Sequence, residues 1–371
     1  MKDKYDIIIV GAGPVGGYLA QLLKLKGRSS LLIEEHKELG RPIHCAGLVG
    51  KKVFQEARLP LAPSCILNTI NGAVIHFGKE ELILRRKEVA YVINRELFDK
   101  SLGKDLNIIF ETRFLGFEKN KHRYILETDK GDFSADILVG ADGANSAVRS
   151  IVRKQNSIQY MRGVQFRMKF APLYHDMVEV YIKRPYFYWI IPESAEEVRV
   201  GVISQNPYQD LLEFVKERRM GNNIIEKFAG IVPRVHFNTL SRERIFLVGD
   251  AASQVKPLSY GGIYMGMRGA EILVDCMLSG KFSQYSPRWH KHYGGEIRVA
   301  LRAREIFNAL TDKDIKKIFA FIKRKTSLIE EKGDFENHSL LLWEFLKHPG
   351  ASREILNVFF RIIKTGLTEK L

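Results

Sequence analysis

The stretch from Ile7 to Glu34 restricts the fold more than any other part of the chain. It holds an apolar run ending at Val10, the turn Gly11-Ala12-Gly13-Pro14-Val15-Gly16, a helical segment, and a second apolar run, Leu31-Leu32-Ile33, closed by Glu34. Asp6 to Val10 reads as a buried parallel strand. Gly11 lets the chain turn sharply, Gly13 lets its backbone approach a pyrophosphate, and Gly16 lets the next helix pack close to the strand. The pyrophosphate then meets the positive end of a helix. Glu34, with Glu35 beside it, follows at a strand tip, where a carboxylate accepts the hydroxyls of an adenosine ribose. A glycine turn in any α/β protein is the plainer alternative, but it does not call for strand, helix and acid in this order. The stretch predicts a dinucleotide-binding βαβ unit.

With 371 residues, 45% of them hydrophobic, the chain can bury a large core in two or three domains. No apolar run approaches the roughly 20 residues that span a bilayer, and the amino terminus enters a strand almost at once, so no cleaved targeting signal is expected. Cys45, Cys65 and Cys276 are scattered and show no CxxC spacing. Neither a disulfide framework nor a metal site is expected, and a reducing cytoplasm is the expected location. Lys and Arg number 58 against 43 Asp and Glu, a formal charge of +15. Solubility is the simplest reading of that excess. No nucleic-acid module or aromatic stacking pattern appears, so a phospholipid surface or a phosphate-bearing substrate ranks above nucleic acid as the anionic partner.

After Glu34 comes a polar loop and then Ile43-His44-Cys45-Ala46-Gly47, whose small residues suit close packing over a flat ligand. Residues 71–86 alternate apolar and polar, with turn signals at Asn71-Gly72 and Gly78-Lys79, and read as a hairpin of another sheet. Ala90 to Arg95 reads as a short strand returning to the first domain and running into a helix, Glu96 to Leu102, where Arg95 can pair with a phosphate. Ala135 to Gly143 is again a buried strand ending in a glycine turn, and Asp142 at its tip either binds a cofactor hydroxyl or caps the helix that follows. Residues 163–202 are β again, centred on Tyr186-Phe187-Tyr188-Trp189-Ile190-Ile191-Pro192, read as the wall facing the chemistry, with an ordinary aromatic core strand as the alternative. A helix is expected over 209–228. Arg244 to Ala252 is a third buried strand with Gly249 and Asp250 at its tip. Pro257 to Ile263 follows, and Gly261 and Gly262 open a helix whose N–H groups can hold a negative charge. From Ser286 onward helices are expected near 288–310, 314–325, 340–347 and 352–364, with a capping box at Thr311 to Asp314.

Glu34, Asp142 and Asp250 stand at the tips of strands that converge on one extended ligand, and FAD fits that arrangement better than NAD. The spacing resembles the FAD proteins of the aromatic-hydroxylase class, which share the glycine turn, an arginine before Phe-Asp (Arg95 with Phe98-Asp99), Asp142-Gly143 and Gly249-Asp250. Within that class the chain resembles the geranylgeranyl reductase family, chiefly the archaeal type that saturates prenyl chains of ether lipids. The resemblance rests on Pro42 to Gly47, on Tyr186 to Pro192 and on Pro257 to Arg268. The chain departs from the family at Ile191, where a phenylalanine is common, and at Tyr260 and Ala46, where glycine is common. The expected fold is a Rossmann-like FAD-binding domain (1–70, 90–155, 242–285), a mainly antiparallel substrate domain (71–89, 156–241) and a helical region (286–371).

The resemblance implies that Gly11, Gly13, Pro14, Val15, Gly16, Glu34, Glu35, Cys45, Ala46, Arg95, Asp142, Gly143, Gly249, Asp250, Pro257, Gly261, Gly262 and Ile263 contact FAD. Saturating an isolated alkene needs a hydride from reduced flavin and a proton on the other carbon, with aromatic faces to stabilise developing positive charge. Cys45 is the first candidate proton donor or positioner and Tyr188 the second, while Tyr186, Tyr188, Trp189 and Pro192 are expected to line a prenyl slot. A buried structural Cys45 is the plainer alternative. NADPH or ferredoxin is the expected electron source, and a peripheral contact with anionic membrane is expected to bring the lipid within reach. A flavin monooxygenase or halogenase shares the same cofactor constellation and is the competing activity. A non-catalytic prenyl-binding escort protein, which need not keep its FAD contacts, is a third possibility.

Overall fold

The computed structural model describes residues 3–120, 123–152, 158–234, 237–339, 341 and 344. The helices expected over 340–347 and 352–364 fall almost wholly outside them.

Two eight-stranded sheets carry the molecule. At the centre of the first lies Asp3–Val10, flanked in parallel by Leu31–Ile33 and Gly131–Gly140, with Asn107–Ile109 and Ile245–Leu247 extending the parallel run outward. Ile8, Ile9, Leu31, Leu32, Leu138 and Leu247 are wholly buried, as expected where helices cover both faces of a parallel sheet. The hairpin Phe114–Asn120 and Arg123–Thr128 joins antiparallel to Gly131–Gly140. Helix Pro14–Leu25 packs on this sheet and on helix Ile263–Leu278.

The second sheet runs, edge to edge, Ile224–Pro233, Tyr160–Lys169, Glu197–Ser204, Tyr186–Pro192, Val178–Lys183, Ile66–Phe77, Glu80–Ile93 and Leu48–Gly50. Among the described residues of this sheet only the pair Val178–Lys183 with Ile66–Phe77 is parallel. The hairpin is therefore longer than its sequence signals suggested. Gly78 makes its turn at φ +61, whereas Asn71-Gly72 lies inside a strand at a register shift. Ala90 to Ile93 is the end of that long strand and belongs to this second sheet, not to the first.

The helix expected over 209–228 ends at Glu217. Arg219 and Gly221 both adopt positive φ there, and the chain re-enters the sheet as Ile224–Pro233. The carboxy-terminal region is helical over Tyr285–Trp289, Gly295–Ala309, Asp312–Lys323 and Thr326–Lys332, with a π turn between the first two. Thr311 caps Asp312–Lys323 through a capping box with Asp314. Its apolar stripe is buried, Ile315 and Phe319 packing on Phe77 and Leu82 at the hairpin tip. Among the described residues no helix is long and apolar enough to cross a membrane.

Candidate active site

Gly11 adopts φ +98, and a Cβ on it would come 2.5 Å from the Ala141 carbonyl oxygen. A Cβ on Gly16 would come 2.0 Å from the Gly11 oxygen, so two strand ends and a helix start meet here with no room for side chains. A Cβ on Gly13, by contrast, would meet nothing within 4 Å. That open side faces the first turn of Pro14–Leu25, which has neither a side-chain cap nor an acidic residue, the condition an anion needs. Glu34 is buried, its Oε2 accepting from the Ala12 N–H at 2.8 Å and its Oε1 from the His36 N–H at 3.1 Å. Glu35 is turned to solvent and pairs with Arg113, so the second acid of the pair is no part of this cradle.

The other strand tips differ in what they already hold. Asp142 accepts from the Ser146 hydroxyl at 2.6 Å and the Val148 N–H at 3.1 Å, and so caps the helix Ala147–Val152. Among the described residues no hydrogen bond reaches the Asp250 carboxyl. Burial pushes it up to about 6, against the opposing pull of Arg95 and Arg149. A half-buried acid without a donor at a strand tip fits the hydroxyl of a bound cofactor. Gly262 lets the loop approach it, since a Cβ there would come 2.5 Å from Asp250 Oδ1. Gly262 also precedes helix Ile263–Leu278, whose first turn again lacks a side-chain cap and an acid. The residues present thus fit a dinucleotide stretched from the Gly11 turn to the Gly262 turn.

Arg95 is more committed than its sequence position suggested. Its guanidinium makes two bonds to Asp99, at 3.2 and 2.9 Å, and is near the Cys45 thiol. Burial opposes its charge, but Asp99 and Cys45 outweigh that and hold it firmly protonated. Cys45 is half-buried, with the Gly47 N–H 3.3 Å from its sulfur. Gly47 adopts φ +70, and a Cβ there would come 1.9 Å from Arg199 Nη1. No local sequence pattern singles out Arg199. It donates to the carbonyls of Ala46 at 2.8 Å and Ile93 at 3.1 Å, and to Glu193 at 2.7 Å, and so fixes the Cys45 loop to the second sheet.

The aromatic strand divides by its alternation. Tyr188 faces away from the cofactor loops: it stacks on Phe214 of helix Pro207–Glu217 at 4.6 Å, with Lys183 over its ring. Burial pushes its hydroxyl up to about 12, with Asp210 and Glu217 adding to the rise. Tyr188 is therefore a core residue and not a proton donor, and Tyr186 shares its side of the strand. Pro192 is buried, its carbonyl accepting from Asn68. Trp189 and Phe187 occupy the other face. Trp189 lies over Gly201, where a Cβ would come 2.2 Å from the indole, and donates to Gln165 at 2.9 Å. It packs in one cluster with Ala46, Leu48 and Ile191. Phe187 lies 5.9 Å from Trp189 and stacks on Tyr260, centroids 6.3 Å apart and planes 5° from parallel. Arg304 sits over Tyr260 and holds the Pro257 and Leu258 carbonyls. A periodicity count alone could have flagged Phe187 in place of Tyr188, but not which face meets the cofactor.

Comparison with known proteins shows the family to which this frame belongs. Residues 4–46 match the model described as an FAD binding domain. An uncharacterised protein of Methanocaldococcus jannaschii is 30% identical over 93% of this chain and 96% of its own length. The digeranylgeranylglycerophospholipid reductase 1 of Methanococcoides burtonii is 28% identical over 92% of this chain and 95% of its own. The chain belongs to the geranylgeranyl reductase family. It is an FAD-dependent oxidoreductase of that family. The fold is shared with a geranylgeranyl bacteriochlorophyll reductase-like protein from Thermoplasma acidophilum, at a TM-score of 0.81 and 20% identity over 96% of this chain and 100% of that one.

Proposed function

We propose that this family member saturates C=C bonds in the prenyl chains of a phosphate-bearing isoprenoid lipid. The observation that carries this reading is the continuous aromatic surface Trp189–Phe187–Tyr260, which links the Cys45 loop to the loop that opens helix Ile263–Leu278. An apolar substrate without a carbonyl offers little for a polar site to grip, and flat aromatic faces both hold it and stabilise positive charge on carbon. Past Tyr260 a cavity of about 320 Å³ has apolar lining from Pro233, Val255, Ile297 and Leu301 and polar lining that includes Arg234, Arg304 and Glu305. Neither arginine is paired with a carboxylate among the described residues. Apolar side chains beside two guanidiniums, with Glu305 the one carboxylate of that lining, suit an amphiphile with an anionic head.

Bound FAD, once reduced, supplies the hydride. Gly11, Gly13 and the first turn of Pro14–Leu25 would hold its pyrophosphate, Glu34 its adenosine ribose and Asp250 its second sugar-like chain. Cys45 would give the proton: when its S–H bond breaks and a C–H bond forms, the charge left on sulfur would be near Arg95 and beside the Gly47 N–H. Trp189 and Phe187 would position the chain and exclude water. The test is anaerobic incubation of the reduced holoprotein with an unsaturated prenyl phospholipid. Mass spectrometry should show the gain of one H2 per double bond, whereas oxygen-dependent hydroxylation of an aromatic would support the monooxygenase reading instead.

A further inference from the structure

Lys256 immediately precedes the Pro257–Ile263 loop, and its backbone closes that loop at both ends. Its N–H donates to the Gly261 carbonyl at 3.0 Å, and its carbonyl accepts from the Tyr260 N–H at 2.8 Å. The side chain, 4% exposed, folds back beneath the glycines: a Cβ on Gly261 would come 3.0 Å from its Cε and 3.5 Å from its Nζ. Nζ donates to the Phe335 carbonyl at 3.1 Å, lies 4.2 Å from the centre of the Phe335 ring, and is 2.9 Å from Glu336 Oε2. That last contact is ionic rather than an aligned hydrogen bond. Glu336 is as buried as Lys256, at 4%, and its Oε1 lies over Gly50, where a Cβ would come within 2.2 Å.

Both ends of the segment that brings Phe335 and Glu336 here are tied down. Asp334 pairs with Lys52 at 2.7 Å and accepts from the Glu336 N–H at 2.8 Å. The N–H groups of His338 and Ser339 donate to Glu296 at 2.8 and 3.0 Å. A full ammonium charge is thus locked next to the glycine pair whose helix end already carries a partial positive charge. Two-electron reduction of a flavin with uptake of one proton leaves a negative charge on its pyrimidine edge, and a fixed nearby cation favours that state over the neutral oxidised one.

We propose that Lys256 is a positioning residue that sets the reduction potential of the bound FAD, with Glu336 of the carboxy-terminal segment partly offsetting its charge. The inference rests on FAD as the cofactor and not on the prenyl substrate, so it stands or falls apart from the reading of the reaction.

The experiment is a dye-equilibrated redox titration of the full-length holoprotein with dithionite, without any lipid. Lys256→Met is expected to weaken the preference for reduced over oxidised FAD about tenfold, a drop of about 30 mV for a two-electron couple. Lys256→Arg keeps the charge and should keep the potential. Glu336→Gln removes the offsetting charge and should move the potential upward, opposite to Lys256→Met. Should Lys256→Met fail to fold, Glu336→Gln decides alone: an upward shift supports the proposal and an unchanged potential overturns it. Potentials unmoved in both variants, or moved in the same direction, would show that the pair only pins the carboxy-terminal segment.

Discussion

Replacing Arg199 by Met tests whether the Cys45 loop is held in place from the second sheet. Arg199 and Glu193 form a buried pair at 2.7 Å, their side chains only 9% and 8% exposed. Removing one partner of such a pair costs about 3 to 5 kcal/mol, because the other charge stays buried. Arg167, 3.0 Å from the second Glu193 oxygen and a third exposed, retains part of the compensation, which places the expected loss near the lower figure, about 3 kcal/mol. Equilibrium urea unfolding of the FAD-free chain measures it. The double variant Arg199→Met with Glu193→Leu removes both charges and should recover most of the loss, since an apolar replacement of a whole buried pair is near neutral. Gly47→Ala should act on the same contact from the other side, because its Cβ occupies the place of Arg199 Nη1. A single variant that loses less than about 1 kcal/mol, or a double variant no more stable than the single, would refute this account.

Cys45→Ser should leave FAD bound, seen as an unchanged flavin spectrum, while slowing alkene saturation; unchanged turnover would return Cys45 to a packing role. Asp250 carries the pH prediction for the FAD-free chain. Its folded-state acidity is weaker than that of an unfolded aspartate, so its contribution to stability is full below pH ~4 and is lost as pH rises towards about 6. Asp250→Asn should therefore stabilise the FAD-free chain at pH ~7, by about 3 kcal/mol at most, show no gain below pH ~4, and bind FAD more weakly. Thermal unfolding across that range checks it, and an equal effect at every pH would rule it out. Lys316, Lys323 and Arg324 are exposed beside the buried stripe of Asp312–Lys323, so co-sedimentation with vesicles should rise with anionic lipid and fall with salt, at about 1 kcal/mol per basic residue near the surface. Binding indifferent to both would leave the positive charge to solubility.

The parts of this molecule legible in the sequence are those with a short-range signature. The Gly11 turn, the acids at the strand tips and the Thr311 capping box each occupy a few neighbouring residues whose backbone geometry they dictate. The aromatic strand shows where that ends. Ile190 and Ile191 are both buried, so apolar residues occur on both faces and alternation yields two candidate sets without ranking them. Helix Pro207–Glu217, distant in sequence, takes Tyr188, and the loop before Ile263 takes Phe187. The contacts that fix the site are longer still in range. Arg199 reaches Ala46 across 153 residues, and Lys256 reaches Phe335 across 79. No local pattern announces either, because a buried arginine or lysine is revealed only by the carbonyls and carboxylates folded around it.

Tyr260 shows how a departure from the family pattern is accommodated. It stands where the family commonly has glycine, and its φ of +58 is the left-handed conformation that glycine adopts freely. An L residue there costs on the order of 1 to 2 kcal/mol. Here the side chain supplies the compensation: its ring is buried between Phe187 on one hand and the Arg304 guanidinium on the other, and stacked or cation–π contacts of this kind contribute about 0.5 to 2 kcal/mol each. The same contacts make Tyr260 the joint between the aromatic surface and the cavity lined by Arg234 and Arg304.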